Sequence, residues 1–262
     1  EAALLRTADR AWMIDCGDES SFGRVVYPAL RQSGVNRLDG VFFTHADAKH
    51  VGAAESLLRG LPVRTFYHPW HEPWKQSTSK LRQFLQKHEG DRDPALRRLA
   101  AGEVVSLGES LRPARLTVLY PTAQDAQPQA DDRGLVARLE LGRLRVLWMA
   151  DAGFITESAL LDRREELRCD VLVRGAHESD EHGTWAFLEA AAPAVILSAG
   201  SSRIPALRLP ESVRRYAEQN GTVLRVLPEC GEATLRLPEA DSQHLLLQTL
   251  GEARPLTIPL RR

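Results

Sequence analysis

The chain lacks the features that mark a stapled, membrane-spanning or nucleic-acid-coating protein. Cysteine is scarce: Cys16, Cys169 and Cys230 are odd in number, lie far apart and show no C-x-x-C spacing. That pattern excludes a disulfide framework and a structural zinc ribbon and leaves the redox compartment open. No apolar run approaches the roughly 20 residues that span a bilayer, and the start carries no charged segment followed by an apolar one, as a secretory signal would. An excess of one charge is also missing. With a formal net charge of −1 a generally basic coat is excluded, although a local patch is not. What is present is 262 residues with 43% hydrophobic content, enough to bury a substantial core in one large domain or two tightly joined halves. The chain opens on Glu1 and enters a strand-like pattern at once, so it is expected to be a domain cut from a longer protein.

Periodicity and turn residues give the order of elements. Ala3 to Arg6 and Ala11 to Ile14 read as a hairpin ending in Asp15-Cys16-Gly17, Val25 to Ser33 as a helix, and Leu38 to Thr44 as a buried strand. A helix over Ala48 to Arg59, stopped by Gly60, and a strand over Val63 to Tyr67 follow. Ser77 to His88 has helical spacing, and Asp93-Pro94 looks like the cap and first position of another helix over Ala95 to Ala101. This helical insert, at about 75–102, is the only basic region. Its Lys75, Lys80, Arg82, Lys87, Arg92, Arg97 and Arg98 are candidates for DNA contact, or simply the solvated faces of surface helices. The second half has strands at Glu103 to Ser106 and Leu116 to Tyr120 and a polar loop over Thr122 to Arg133. A hairpin about Gly142 follows, then helices over Thr156 to Leu167, Thr184 to Ala191 and Pro210 to Asn220. Strands are expected at Val171 to Val173, Ala194 to Ser198, Val223 to Val226, Ala233 to Leu237 and Leu245 to Leu250. No linker separates the halves. Two successive blocks of strands with interspersed helices suggest a four-layer α/β/β/α sandwich in a single domain, 1–262.

Val41 to Gly52, VFFTHADAKHVG, carries the chemistry. A strand that ends in a short loop aims alternate side chains at one point, so His45 and Asp47 project together while His50 returns from the first turn of a helix. Such convergence suits a divalent metal. The same residues also fit a polar loop that caps the helix beginning near Ala48. Further on, YHPWHEPW places His68, Trp70, His71 and Trp74 on one loop, either as a stacking platform for a nucleobase or as tryptophans covering a core edge between stiffening prolines.

Four segments, DCG at Asp15 to Gly17, THADAKH at Thr44 to His50, WMADAG at Trp148 to Gly153 and RGAHES at Arg174 to Ser179, together resemble the metallo-β-lactamase superfamily. The likeness covers residue 3 to about 237 and is closest to the C-terminal domain of the ComEC family of competence DNA-uptake channels. That resemblance implies the metallo-β-lactamase fold, α/β with the αββα layering. In its two-metal form one ion would use His45 and Asp47, a second would use His50 and an acidic neighbour, Asp151 would bridge them, and His177 would complete the second position. Two such cations lower the pKa of a bridging water and stabilise charge on a phosphoryl oxygen, so no protein nucleophile is needed. Mn or Zn is the implied metal. Asp15 is placed to accept a hydrogen bond from a ligating imidazole, or serves as the turn residue before Gly17. Asp131, Asp132 and His182 are further candidates, each also readable as a solvated loop residue.

The chain departs from the family pattern at several of these positions. Lys49 stands where the family has its acidic ligand, and a protonated ammonium offers no lone pair to a dication. It could replace the second ion with a fixed positive charge, leaving one ion or none. Ala176, Glu178 and Leu207 replace a histidine, a glycine and a histidine of the pattern. The resemblance implies a metal-dependent phosphodiesterase acting on DNA, single-stranded or duplex. It places the domain on the extracytoplasmic side of an inner-membrane protein, beside the channel portion of the same parent. The alternative is a catalytically degenerate domain that guides DNA, docks or supports the channel. A small-molecule esterase or lactonase fits the flanking sequence less well.

Overall fold

The computed structural model describes residues 1–70, 79–90, 94–108, 113–122, 134–163, 167–175, 182–200, 209–238 and 243–260. The chain forms two compact units, Glu1–Leu111 with Val118–Leu135, and Arg112–Thr117 with Val136–Arg262. Among the described residues no helix is long and apolar enough to cross a membrane.

The first unit is built on a mixed sheet of β1 (Ala2–Arg6), β2 (Ala11–Cys16), β3 (Gly40–Phe42), β4 (Thr65–Pro69) and β5 (Ala95–Leu99), in that order. β1 runs antiparallel to β2, and every other pair is parallel. Parallel central strands bury both faces, which is why β2 and β3 read as near-continuous apolar runs. One face stacks Trp12 on Phe42 at 5.8 Å and Phe42 on Tyr67 at 4.7 Å between ring centroids. Gly40 makes the room: a Cβ there would lie 2.6 Å from the Trp12 ring. On the other face Phe43 stacks on Phe66 at 5.2 Å, and Phe84 from helix α5 (Lys80–Lys87) meets both edge-on.

Helices depart from the sequence expectation in informative ways. The first helical run begins at Glu19, not Val25, because the Asp18 carboxylate accepts from the backbone N–H groups of Ser20 and Ser21. It continues through a π-helical turn (Phe22–Val26) into Tyr27–Gln32. The single helix expected over Ala48 to Arg59 is two, α3 (Ala48–Val51) and α4 (Ala54–Gly60). The second helix of the basic insert is a strand: Ala95–Leu99 is β5, hydrogen-bonded in parallel to β4 and anchored by fully buried Leu99. Tertiary pairing outweighs the helical propensity of ALRRL. The basic residues therefore do not share one helical insert. Lys80, Arg82 and Lys87 belong to α5 and Arg97 and Arg98 to β5; Lys87 pairs with Glu55 at 2.6 Å and Arg97 with Glu103 at 3.8 Å. Lys75, Arg92, His71 and Trp74 lie outside the described residues.

The second sheet has the order β12-β11-β10-β9-β8-β7-β6, from β6 (Val104–Gly108), β7 (Ala114–Tyr120), β8 (Val136–Leu141), β9 (Leu144–Trp148), β10 (Val171–Arg174), β11 (Val195–Ser198) and β12 (Val223–Val226). β8 and β9 form the expected hairpin, and β9 through β12 are parallel. The helices Phe154–Leu161, Trp185–Ala191 and Glu211–Asn220 lie where the periodicity puts them, the first ending earlier than expected. The chain closes with a separate antiparallel sheet, β13 (Ala233–Arg236), β14 (His244–Thr249) and β15 (Leu256–Pro259). Its last strand, bounded by Pro255 and ending on Pro259, gave no strand signal.

His68, 4% exposed in β4, lies opposite Arg98 of β5. Burial, aided by the Arg98 charge, pushes its pKa down from 6.5 to about 4. The neutral ring's contribution is therefore complete above pH 6.5 and is lost as pH falls towards 4, because the unfolded chain takes up its proton first. The loss amounts to about 3 kcal/mol at most. Urea unfolding of wild type and His68→Phe across this range should show a steep acid slope in the first and a shallower one in the second; equal slopes contradict the assignment.

Candidate metal centre

The motif loop leaves β3 buried: Phe43, Thr44 and His45 are each at most 2% exposed. The chain turns at Asp47, whose backbone carbonyl accepts from His50 N and Val51 N, and α3 returns His50 to the interior, 1% exposed. The rings of His45 and His50 meet edge to face at 5.2 Å between centroids. The two histidines of the sequence motif are thus brought together by a strand end and the first turn of a helix. The Asp47 side chain makes no cap bond to α3 and is 59% exposed, with Oδ2 3.9 Å from His45 Nδ1, outside hydrogen-bonding range.

Asp15 holds His50. It sits near the end of β2 at φ 55°, a left-handed conformation that costs a non-glycine residue of order 1 kcal/mol or more. Its fully buried carboxylate accepts three hydrogen bonds, from Thr44 N at 2.8 Å, Thr44 Oγ1 at 2.5 Å and His50 Nδ1 at 2.8 Å. A carboxylate can only accept, so the His50 proton lies on Nδ1 and the lone pair on Nε2. The ring is then in the tautomer and orientation in which imidazoles ligate metals. Thr44 had no role in the sequence reading, although it stands in the quoted motif; its two bonds to Asp15 fix the carboxylate.

The backbone ties the same elements together. Gly17 N donates to His50 O at 3.1 Å, and Ala53 N donates to Gly17 O at 3.0 Å. The helix is interrupted there because Ala53 N donates to Gly17 O and not to Lys49 O, while at Gly52 a Cβ would lie 2.4 Å from Ala48 O. Cys16, buried against His50 O, is held as a neutral thiol: burial, then the adjacent Asp15 charge, pushes its pKa well above the ordinary value. Lys49, next to buried His50, is exposed; its backbone carbonyl accepts from the N-terminal ammonium at 2.7 Å. Adjacent helical residues point about 100° apart, so burying His50 turns Lys49 outward.

In the second unit, Asp151 follows β9 through Ala150, which has φ 49°. Met149 N donates to Val173 O at 2.8 Å and Gly175 N to Ala150 O at 2.6 Å, so the ends of β9 and β10 close on each other. A Cβ on Gly175 would lie 1.8 Å from Asp151 Oδ1. Only glycine lets that carboxylate stay where it is. Arg174, 4% exposed, donates from its guanidinium to His182 Nδ1. A ring accepting at Nδ1 carries its proton on Nε2, which withdraws both His182 nitrogens from metal binding. Burial lowers the Arg174 pKa, and the nearby Glu157 charge opposes that effect. His177, Asp131, Asp132, Ala176, Glu178 and Leu207 lie outside the described residues.

The model of the Metallo-beta-lactamase superfamily matches residues 2–210. The chain belongs to that superfamily. Among curated proteins, ComE operon protein 3 of Bacillus subtilis (strain 168) is 26% identical over 210 residues, covering 76% of this chain. The chain spans only 26% of that relative's length. Among solved structures, the metallo-beta-lactamase fold protein YhfI from Bacillus subtilis aligns over 85% of this chain and 87% of its own, with a TM-score of 0.55 at 16% identity. Igni18, a metallo hydrolase from Ignicoccus hospitalis, aligns over 86% and 90% with a TM-score of 0.53 at 13% identity. At these identities the structures establish the fold: the superfamily's α/β architecture with two mixed sheets, as the sequence led us to expect. The superfamily match stops at residue 210, so the sheet of β13, β14 and β15 lies beyond it.

If Asp15 orients His50 for a metal, Asp15→Asn should lower zinc affinity by about 10- to 100-fold while the chain still folds, read by competition with a chromophoric chelator. Wild-type affinity in that variant would contradict the role. Gly175→Ala should also weaken binding, by displacing the Asp151 carboxylate.

Proposed function

We propose that this chain is a metal-binding metallo-beta-lactamase-fold domain of a membrane DNA-uptake protein, holding one divalent ion where the two-ion members of the fold hold two. The ligands of the first unit are His45 and His50, whose rings meet edge to face. Asp47, Asp151 and His177 are the family positions that would complete the shell. The observation that carries the proposal is the buried Asp15–His50 hydrogen bond, because a buried carboxylate that fixes a buried imidazole in one tautomer is the arrangement that orients a metal-ligating histidine. Two imidazoles and a carboxylate suit Zn or Mn.

A bound divalent ion supplies Lewis-acid polarisation of a phosphoryl oxygen, which is the chemistry of a phosphodiesterase. The residues of the chain do the rest. Asp15 fixes the ligating nitrogen of His50, Thr44 fixes Asp15, and the hydrophobic β3 and β4 keep bulk water from the back of the imidazoles. Lys49 supplies a positive charge one residue from a ligand, in place of the carboxylate that would recruit a second ion. The likeness to ComE operon protein 3 supports the membrane-protein context, and the resemblance of the four motifs to the ComEC family supports the DNA-uptake role and an extracytoplasmic position. A second reading, a domain retained for guiding DNA or docking to its channel, is favoured by the substitutions Lys49, Ala176 and Leu207.

Elemental analysis of the purified domain after dialysis against Zn or Mn should find one ion per chain, and Lys49→Asp with Ala176→His should admit a second. A metal-free wild type would overturn the proposal, and two ions in the wild type would overturn its one-ion form. With one ion present, cleavage of single-stranded or duplex DNA that stops on chelation separates the phosphodiesterase from the guiding domain.

A further inference from the structure

Arg174 is a buried charged side chain of the second unit. It ends β10, is 4% exposed, and reaches His182 with its guanidinium. Glu157, 1% exposed on the helix Phe154–Leu161, supplies the compensating charge and accepts from Gly183 N at 2.5 Å and Thr184 N at 2.9 Å. Ser212 Oγ donates to Gly183 O at 2.7 Å. Gly183 has no space for a side chain: a Cβ would lie 2.3 Å from Arg174 Nη1 and 2.5 Å from Val213. The end of β10, the segment His182–Thr184 and the helices Phe154–Leu161 and Glu211–Asn220 are therefore joined through one buried ionic cluster. Of these groups only His182 is a candidate in the sequence, as a metal ligand, and here it accepts from Arg174 instead.

A buried charge pair is a poor source of stability, because desolvation offsets most of its attraction. Geometry is what it can supply. The residue after Arg174 is Gly175, whose N–H bonds Ala150 O and whose Cα packs directly against the Asp151 carboxylate. A rotation of the β10 end would move Gly175 into or away from Asp151. We infer that Arg174 is a positioning residue: bonded to His182, beside the segment that Glu157 anchors, it fixes the end of β10 so that Gly175 seats the Asp151 carboxylate for metal binding. The inference rests on the proposed one-ion centre.

The test compares wild type, Arg174→Met and Arg174→Lys as the metal-free domain and after Co(II) titration. Met has a similar reach without the charge, and Glu157 keeps its two backbone donors in that variant. The expected result is an Arg174→Met domain that melts below wild type without metal, because Glu157 loses its compensating charge, and that, once folded, binds Co(II) about 10- to 100-fold more weakly and shows an altered visible spectrum as the carboxylate ligand is lost, with partial recovery in Arg174→Lys. A merely structural Arg174 would shift melting and leave the spectrum of the loaded protein alone, which would overturn the inference, as would unchanged Co(II) affinity. If Arg174→Met does not fold, Arg174→Lys decides: affinity and spectrum identical to wild type overturn the inference, and a weakened, altered site supports it. A wild type that takes up no ion removes the one-ion centre, and the inference with it, whereas a metal-binding wild type with indifferent variants removes the inference alone.

Discussion

Asp15 and His50 are buried together, one at the end of β2 and the other in the first turn of α3, and much of the local structure is arranged around their hydrogen bond. Burying a carboxylate without full hydrogen bonding costs several kcal/mol, so Asp15 is compatible with folding only because Thr44 and His50 occupy its oxygens. Thr44 in turn must follow β3 in the register that parallel pairing with β2 and β4 dictates. Gly17 and Gly52 let the backbone of the DCG turn bond directly to the end of α3. The aromatic stacks on both faces of β3 and β4 hold the strands that hold these loops.

The two units fix their candidate side chains differently. In the first, a carboxylate fixes an imidazole through a hydrogen bond. In the second, Asp151 is seated by close approach, with Ala150 in a left-handed conformation and Gly175 too small to push the carboxylate away. Both devices store local strain at a strand end, which is where folded proteins concentrate it when a side chain must be aimed. Lys49 is turned to solvent beside buried His50.

The sequence disclosed the parts of this molecule that depend on local pattern. Short apolar strands, the hairpin about Gly142, the helices of the second half and the His45–His50 pairing follow from periodicity and from the geometry of a strand running into a helix. The superfamily itself was legible in four spaced motifs. The misreadings are those in which long-range contact overrides propensity. ALRRL has the composition of a helix and becomes an edge strand because β4 offers a partner and the core takes Leu99. The helix expected over 48–59 breaks because Gly17 O of the DCG turn takes the N–H of Ala53. Arg174 gave no signal of its role: a lone arginine at the end of an apolar strand reads as the strand's exit to water, and only the fold brings Glu157 and His182 to it.

X-ray absorption at the zinc edge of the zinc-loaded domain tests the central claim most directly, that the Asp15-oriented His50 and its neighbour His45 ligate a single ion. The expected spectrum shows a low-coordinate zinc with two imidazole shells and oxygen, losing one imidazole in His50→Ala. A zinc bound through sulfur, or one whose imidazole shells survive His50→Ala unchanged, would contradict it.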